Sequence, residues 1–234
     1  MGASTKTMEI EEAMERMPIF PLPQIVLFPQ ALLPLHIFEP RYRALLKDCL
    51  ASHRTMALAL LGPDIPTETS DAEPPVSERR LPPIAAIAGV GVIVEHQALP
   101  DGRANIVLQG RARVQLDELR FEPPYRRARA TLLRDTSDSV PSSEVAALVA
   151  SVTGFAAEIR KHNPTFSFRV PGSLEGSIDA GVLSDYVAHH FIVDTSLRQR
   201  LLEELSPKER IRLVTRELAA QHSALLRESG GLLH

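Results

Sequence analysis

The spacing of apolar and polar residues along the chain predicts strands in the first half and helices in the second. Six prolines fall between residues 18 and 40, and proline does not fit the interior of a helix. Leu33, Leu35 and Ile37 alternate with Pro34 and His36 within this segment. Such alternation is typical of a short strand with one buried face.

Further strands are predicted at five places: 56–61, 84–97, 103–109, 111–119 and 126–134. Gly89 and Gly91 in the second of these predict a bulge or a close backbone approach. The Pro100-Asp101-Gly102 segment predicts a hairpin turn, because Asp-Gly suits the tight turns that join antiparallel strands.

One helix is predicted within the first half, over residues 40–50. Pro40 suits its first turn, where a backbone N–H has no helical partner. The apolar residues of this segment recur at the spacing of one helix face: Tyr42, Leu45, Leu46, Cys49 and Leu50.

The second half has helical spacing throughout. The stripe over 145–159 lasts four turns, and another runs over 183–191. Asp194 fits the N-cap of a third helix. Ser206-Pro207-Lys208-Glu209 has the form of a capping box that opens the last helix.

These patterns predict an α+β fold. A proline-rich, mainly antiparallel β half, as an open barrel or sandwich with one short helix, precedes a helical bundle.

Residues 62–83 contain six prolines and five acidic residues, so we expect disorder there, because such a segment buries too little apolar surface to offset its ordering entropy. The predicted organisation is a flexible tail with a weak helical stripe over 1–16, a β subdomain over 17–136, a helical subdomain over 137–228, and a second tail over 229–234.

Composition narrows the possible functions. A net charge of −3 and a pI near 6.3 argue against nucleic acid as the main partner, since phosphate binding usually needs a basic surface. Residues 111–134 carry seven arginines against three acidic residues, which we interpret as a solvated face of two strands. The chain has no secretory signal pattern and no run of about 18 apolar residues. We therefore expect a cytoplasmic protein without a membrane span.

No residue pattern indicates a catalytic, cofactor or metal site. His189 and His190 are adjacent and diverge on a helix, so they are expected to be structural, with Asp185 and His189 pairing on the surface. His36 and Glu39 lie in a strand and turn, without a shared helix face. Cys49 lies on an apolar helix stripe and is expected to be a buried, inert thiol.

Three blocks of sequence resemble the amino-terminal substrate-binding domain of the Lon proteases. They occur in that family's order and span about 18–220. The first is Pro18–Pro23 with Leu27-Phe28-Pro29 and Leu33–Arg43, the second is Leu99–Gly102 with Val107, Gly110 and Arg113, and the third is Leu183–His190 with Gln199–Glu203.

The resemblance implies a PUA-like β part and recognition of a partner, without chemistry. The sequence has no Gly-x-x-x-x-Gly-Lys-[Ser/Thr] loop, so we expect neither the Lon ATPase nor its Ser–Lys peptidase, and no enzymatic activity. Cereblon contains a similar domain joined to a cysteine-rich zinc module, which a chain with one cysteine cannot form. The expected partners are polypeptide substrates or an AAA+ protease, and the oligomeric state is left open.

Four residues are candidates for contacting polypeptide: Phe28, Leu32, Phe38 and Arg41. The three apolar side chains would line an exposed groove, whereas Arg41 is either a contact residue or part of a buried ion pair between strand and helix. The leading interpretation is a polypeptide-recognition module, as an adaptor or regulator of proteolysis. The alternatives are a small-molecule or peptide sensor with a pocket in the β half and, more distantly, an unrecognised hydrolase.

Overall fold

The computed structural model describes residues 10–62, 81–168 and 179–231, without the side chains of the last four. The chain divides into two compact units, Met1–Arg134 and Asp135–His234. The predicted disorder within 62–83 falls almost entirely outside the described residues, as do the ends of both predicted tails. The predicted weak stripe near the amino terminus includes Ile10 and Ala13, which lie in a helical turn and are buried.

The described part of the first unit has a short 3-10 helix (Met14–Arg16) near its start. Six strands and one α-helix follow in this order: β1 (Met17–Leu22), β2 (Leu32–Ile37), α1 (Pro40–Ala51), β3 (Thr55–Leu60), β4 (Ile87–Ala98), β5 (Ala104–Glu118) and β6 (Arg127–Leu133). The sheet order is β2-β5-β4-β3-β1-β6, and β6 also pairs with β5. Among the strands that the structure describes, β1 and β3 are the only pair that runs parallel. The expected α+β fold with a mainly antiparallel β half is confirmed.

The long strand β5 has two successive neighbours on one side. Residues 113–118 pair with β6 and close a ring of β1, β3, β4, β5 and β6. Residues 104–109 pair with β2 instead. The end of β4, the first half of β5 and β2 therefore form a three-stranded sheet that continues beyond the ring, which we call the extension.

Glycines let the segment before β2 lie directly against the sheet. A Cβ atom at Gly89 would lie 1.9 Å from Leu27 O, and one at Gly110 would lie 2.0 Å from Phe28 O. Contacts that short exclude any side chain, so only glycine fits. The close approach predicted for Gly89 is confirmed, and it places Leu27 and Phe28 in the interior.

Helix α1 buries the predicted stripe against the sheet. Tyr42, Leu45, Leu46 and Cys49 belong to one buried cluster. The Cys49 thiol donates to Thr55 O at 3.3 Å, and burial, followed by the nearby Asp48 carboxylate, raises the pKa of Cys49 to about 12. A thiol with that pKa stays protonated at neutral pH, which agrees with the expected inert cysteine.

The second unit contains four described helices: α2 (Ser142–His162), α3 (Ala180–Phe191), α4 (Thr195–Glu203) and α5 (Pro207–Gly231). The Asp194 carboxylate accepts from Leu197 N–H at 2.6 Å and Ser206 Oγ accepts from Glu209 N–H at 3.3 Å. Both predicted N-caps are confirmed, but the predicted capping box is only half formed, because Ser206 N–H donates to Glu204 Oε1 at 2.8 Å and not to Glu209.

Helix α2 corrects one expectation. The sequence shows no uninterrupted run of about 18 apolar residues, yet α2 has the length and apolar composition that a membrane-spanning helix needs. Its residues Leu148, Val152 and Phe155 are buried. Because the core helix of a soluble protein passes the same test, length and composition are weak evidence for a membrane span.

Candidate functional site

The most exposed large apolar side chains of the first unit lie on and just after β2. Leu33, Leu35 and Ile37 face inward, as their spacing predicts. The opposite positions are exposed and continue past the strand end to Phe38. Leu32 is 56% exposed and Phe38 57% exposed. We call the surface formed by Leu32, Pro34, His36 and Phe38 the β2 stripe.

A row of polar side chains crosses the extension beside the β2 stripe. His36 Nδ1 lies 2.7 Å from Asn105 Oδ1, and Asn105 Nδ2 donates to Gln97 Oε1 at 3.2 Å. Because an amide oxygen only accepts, His36 Nδ1 is the donor in this contact. The row therefore ends in the amide N–H donors of Gln97.

A shallow concavity of about 540 Å³ includes this polar row. Residues from all three strands of the extension line it: Pro34, Leu35, His36, Glu95, His96, Gln97, Asn105, Ile106 and Val107. The ring of His36 stacks on Phe38, with centroids 6.1 Å apart and planes inclined by 23°. The concavity thus combines apolar walls with a few fixed polar groups, the composition expected of a binding site.

Phe28 is not part of this surface, and the prediction that it contacts a ligand is wrong. Its side chain is fully buried, because Gly110 allows the backbone at residue 28 to lie directly on the sheet. Leu32 and Phe38 are exposed as that prediction required.

Arg41 is exposed and locally paired. Its guanidinium lies 2.8 Å from the Glu39 carboxylate and 4.5 Å from the centroid of the Tyr42 ring. The alternative of a buried ion pair between strand and helix is therefore wrong. Arg41 lines a separate cleft of about 100 Å³ together with Pro21 and Tyr125.

Some arginines of the arginine-rich strands pair with neighbouring acidic residues. Arg126 forms two hydrogen bonds of 2.6 Å with the Glu118 carboxylate. Arg129 lies 3.4 Å from Glu15. Arg113 and Arg126 are buried, so the interpretation of this stretch as a wholly solvated face is wrong.

The histidine pair of the second unit packs among rings, with the His190 centroid 4.4 Å from that of Tyr186, and the expected partner of His189 is wrong. Asp185 is buried beside Arg210, not paired with His189 on the surface. Burial, followed by the nearby charges of His190 and Arg198, lowers the pKa of His189 to about 4. Within residues 10–62, 81–168 and 179–231, no group of three or more His, Cys, Asp or Glu side chains could hold a metal ion.

The polar row of His36, Asn105 and Gln97 was not predicted from the sequence. These residues come from three strands, and only the pairing of β2 and β4 with β5 brings them together. The predicted hairpin turn was the one local signal, since it sets Gln97 opposite Asn105.

Comparisons with known proteins agree on one family. Residues 16–220 match the family described as the ATP-dependent protease La (LON) substrate-binding domain. A Lon protease of Roseiflexus castenholzii is 27% identical over 225 residues, which cover 96% of this chain and 26% of that protein. One of Cytophaga hutchinsonii is 26% identical, covering 84% of this chain and 23% of that protein. The chain thus spans about a quarter of the length of these curated relatives.

Solved structures show the same fold. A Lon N-terminal domain protein from Xanthomonas campestris superposes with a TM-score of 0.57 at 18% identity, covering 84% of this chain and 95% of that one. The N-terminal domain of a Mycobacterium avium complex Lon protease gives a TM-score of 0.58 at 13% identity, covering 88% of this chain and 98% of that one.

Proposed function

The chain belongs to the family of Lon substrate-binding domains, and on that premise we propose that it binds unfolded polypeptide at the β2 stripe without cutting it. Family membership supports a substrate-recognition module. The single observation that carries the proposed location is the exposure of Leu32 and Phe38 on one face of an edge strand. A contiguous exposed apolar patch on a folded domain marks an interaction surface, and Pro34 and His36 connect Leu32 to Phe38 along the same face.

The expected affinity is low. Burying one Leu or Phe side chain contributes about 1.5–3 kcal/mol, and ordering a flexible peptide offsets part of that gain. We expect a micromolar or weaker dissociation constant, roughly −8 kcal/mol or less favourable. The β2 stripe carries no permanently charged side chain, so binding should depend little on salt.

We further propose that this recognition serves proteolysis, as an adaptor or regulator that passes polypeptide to an AAA+ protease, and that it takes place in the cytoplasm. Family membership supports an interaction with protein substrates or a protease in general. Proteins recovered with a tagged copy test this part, and recovery of neither a protease nor its clients would contradict it.

A second candidate function is a small-molecule or peptide sensor. The concavity of about 540 Å³ favours it, because the fixed donors and acceptors of His36, Asn105 and Gln97 could orient a small polar ligand. The third alternative, an unrecognised hydrolase, gains no supporting observation from the described residues.

Titration of a fluorescently labelled unfolded peptide tests the proposed location. Phe38→Asp and Leu32→Asp should each weaken binding, because they place a carboxylate where apolar contact is made. Val193→Asp is the matched control, since Val193 is an apolar residue of the other unit and is 82% exposed. The affinity of this variant for the peptide should stay at the wild-type value.

Two results would contradict the proposal. If all three variants bind the peptide with the wild-type affinity, the polypeptide binds at another surface. Steep weakening with salt, unaffected by Phe38→Asp, would point to the arginine-rich strands at 111–134. As a separate outcome, a metabolite that stays bound to the purified protein, in the absence of peptide binding, would favour the sensor function.

A further inference from the structure

The extension has two strand edges without a described neighbour. β3 lies beside β4 only as far as Val92, and Ile93 N–H donates to Arg54 O at 2.8 Å. No described strand continues along that side of residues 94–98. At the other end of the sheet order, β2 has a strand neighbour only on its β5 side among the described residues.

Hydrogen bonds at the hairpin show which backbone groups of β4 point away from the sheet. Leu99 N–H donates to Arg103 O at 2.9 Å, so Leu99 faces β5. The orientation alternates along an antiparallel strand, so Gln97 also faces β5. His96 and Ala98 therefore direct their N–H and C=O groups outward, along the open edge.

The open edge of β2 is protected by a proline. Gly110 N–H donates to Ala31 O at 2.8 Å, so Ala31 faces β5 and, by alternation, Leu32, Pro34 and His36 face outward. Pro34 has no N–H to offer at the centre of that edge. Proline on an edge strand is one of the devices that prevent another strand from adding to a sheet.

Among the described residues, the open edge of β4 has no such protection. All of residues 94–98 are exposed, none is proline, and Glu95 is their only charged side chain. An unpaired N–H and C=O pair recurs every second residue, at roughly 6.6 Å. Another extended backbone presents its own groups at the same repeat and so complements this edge along its length.

We propose that an extended, proline-free polypeptide segment adds to the sheet as a strand beside residues 95–98 of β4. This inference rests on the proposed recognition of unfolded polypeptide and adds a second contact, on the edge of the extension opposite β2. About four main-chain hydrogen bonds, to His96 and Ala98, would form. Alternate side chains of the segment would enter the concavity lined by Glu95, His96 and Gln97.

This mode of binding distinguishes unfolded from folded polypeptide. A folded protein has already paired most of its backbone groups, whereas an unfolded segment has them free to pair with the edge. Recognition through the main chain also tolerates many side-chain sequences, and Glu95 adds a preference for a lysine or arginine directly opposite.

Paired substitutions at one position test the inference. His96→Pro removes the outward N–H and the imidazole, whereas His96→Ala removes only the imidazole. The probe is a fluorescein-labelled 12-residue peptide of valine, threonine and lysine. The proline variant should bind it roughly tenfold more weakly than the alanine variant, since a buried acceptor of the peptide loses its donor. Equal affinities of the proline and alanine variants would overturn the inference. The proposed function would still stand if the wild-type protein binds the peptide.

A second measurement uses only wild-type protein and so does not depend on the folding of a variant. The same peptide with N-methyl groups on four successive central residues keeps its side chains and loses those N–H donors. Its affinity should fall roughly tenfold or more, and unchanged affinity would overturn the inference. If the wild-type protein forms a dimer that His96→Pro abolishes, and it binds no peptide, then a second copy of the chain occupies the edge. That result would also overturn the inference. If wild-type protein binds no polypeptide, both proposals fail.

Discussion

Arg210 and Asp185 form an ion pair in which both side chains are buried. Arg210 Nε lies 3.3 Å from Asp185 Oδ1, with 1% and 5% of the two side chains exposed. The guanidinium also donates to Asp135 Oδ1 at 2.8 Å and to Glu204 O at 2.9 Å. One residue of α5 therefore joins α3, the end of α4 and the first residue of the second unit.

Arg210→Ala should destabilise the second unit by about 3–5 kcal/mol, because it removes the guanidinium that balances the charge of the buried Asp185 carboxylate. Chemical denaturation followed by far-ultraviolet circular dichroism measures the loss. Arg212→Ala is the matched control on the same helix. Arg212 is about half exposed and pairs with Glu144 and Glu209, so its loss should stay below about 1 kcal/mol. Similar losses for the two variants would contradict a special role of Arg210.

Ser206→Ala should destabilise the second unit by about 1 kcal/mol. Ser206 Oγ accepts from Glu209 N–H at 3.3 Å, and a hydrogen bond from Ser206 also helps to lower the pKa of Asp138. Alanine can make neither contact. Ser223→Ala, an exposed position within α5, is the control and should change the free energy of unfolding little. An unchanged melting curve for Ser206→Ala would show that the cap contributes nothing.

His189 should make stability depend on pH. Its folded-state pKa of about 4 lies below the ordinary value of 6.5, mainly because the ring is buried. The unfolded state thus binds the proton more readily, so this stabilisation is complete above pH 6.5 and is lost as pH falls towards 4. The loss is at most about 3.5 kcal/mol, since one pKa unit corresponds to about 1.4 kcal/mol, and solvent screening of the partly exposed ring reduces it further.

Denaturation midpoints across that pH range provide the measurement. His189→Gln cannot take up the proton, so its free energy of unfolding should decline less than that of the wild type between pH 6.5 and 4. Parallel declines in the two proteins would mean that His189 does not carry the effect.

Glycine-to-alanine substitutions should have opposite effects at two positions. Gly89→Ala forces a methyl group to within 1.9 Å of Leu27 O and should destabilise the first unit by more than about 3 kcal/mol. Gly154 lies in α2, where the nearest atom to an added Cβ is His222 Cε1 at 4.0 Å. Gly154→Ala should therefore raise stability by up to about 1 kcal/mol. Thermal melting compares both, and a tolerated Gly89→Ala would refute the close approach.

Features determined by short sequence distances were predictable. The buried face of α1 follows from the spacing of Tyr42, Leu45 and Cys49, and the caps Asp194 and Ser206 precede the amides that they bind. In each case the interacting residues lie within two turns of one helix, so periodicity and residue type suffice.

Features determined by the assembled sheet were not predictable. Phe28 resembles an exposed loop residue in the sequence, but Gly110, far along the chain, lets its backbone lie on the sheet. The burial of Asp185 depends likewise on Arg210 from another helix. Leu32 and Phe38 were placed correctly because alternation along β2 assigns them to the opposite face from Leu33 and Leu35.

The burial of Cys49 provides an intrinsic reporter of motion in the first unit. It is the one cysteine in 234 residues, and a protonated, enclosed thiol reacts with a disulfide reagent only when its surroundings open. The rate of thiol exchange under native conditions therefore measures how often α1 separates from the sheet, while the helical unit gives no signal. A slower exchange in the presence of polypeptide would register binding without any label attached to the protein.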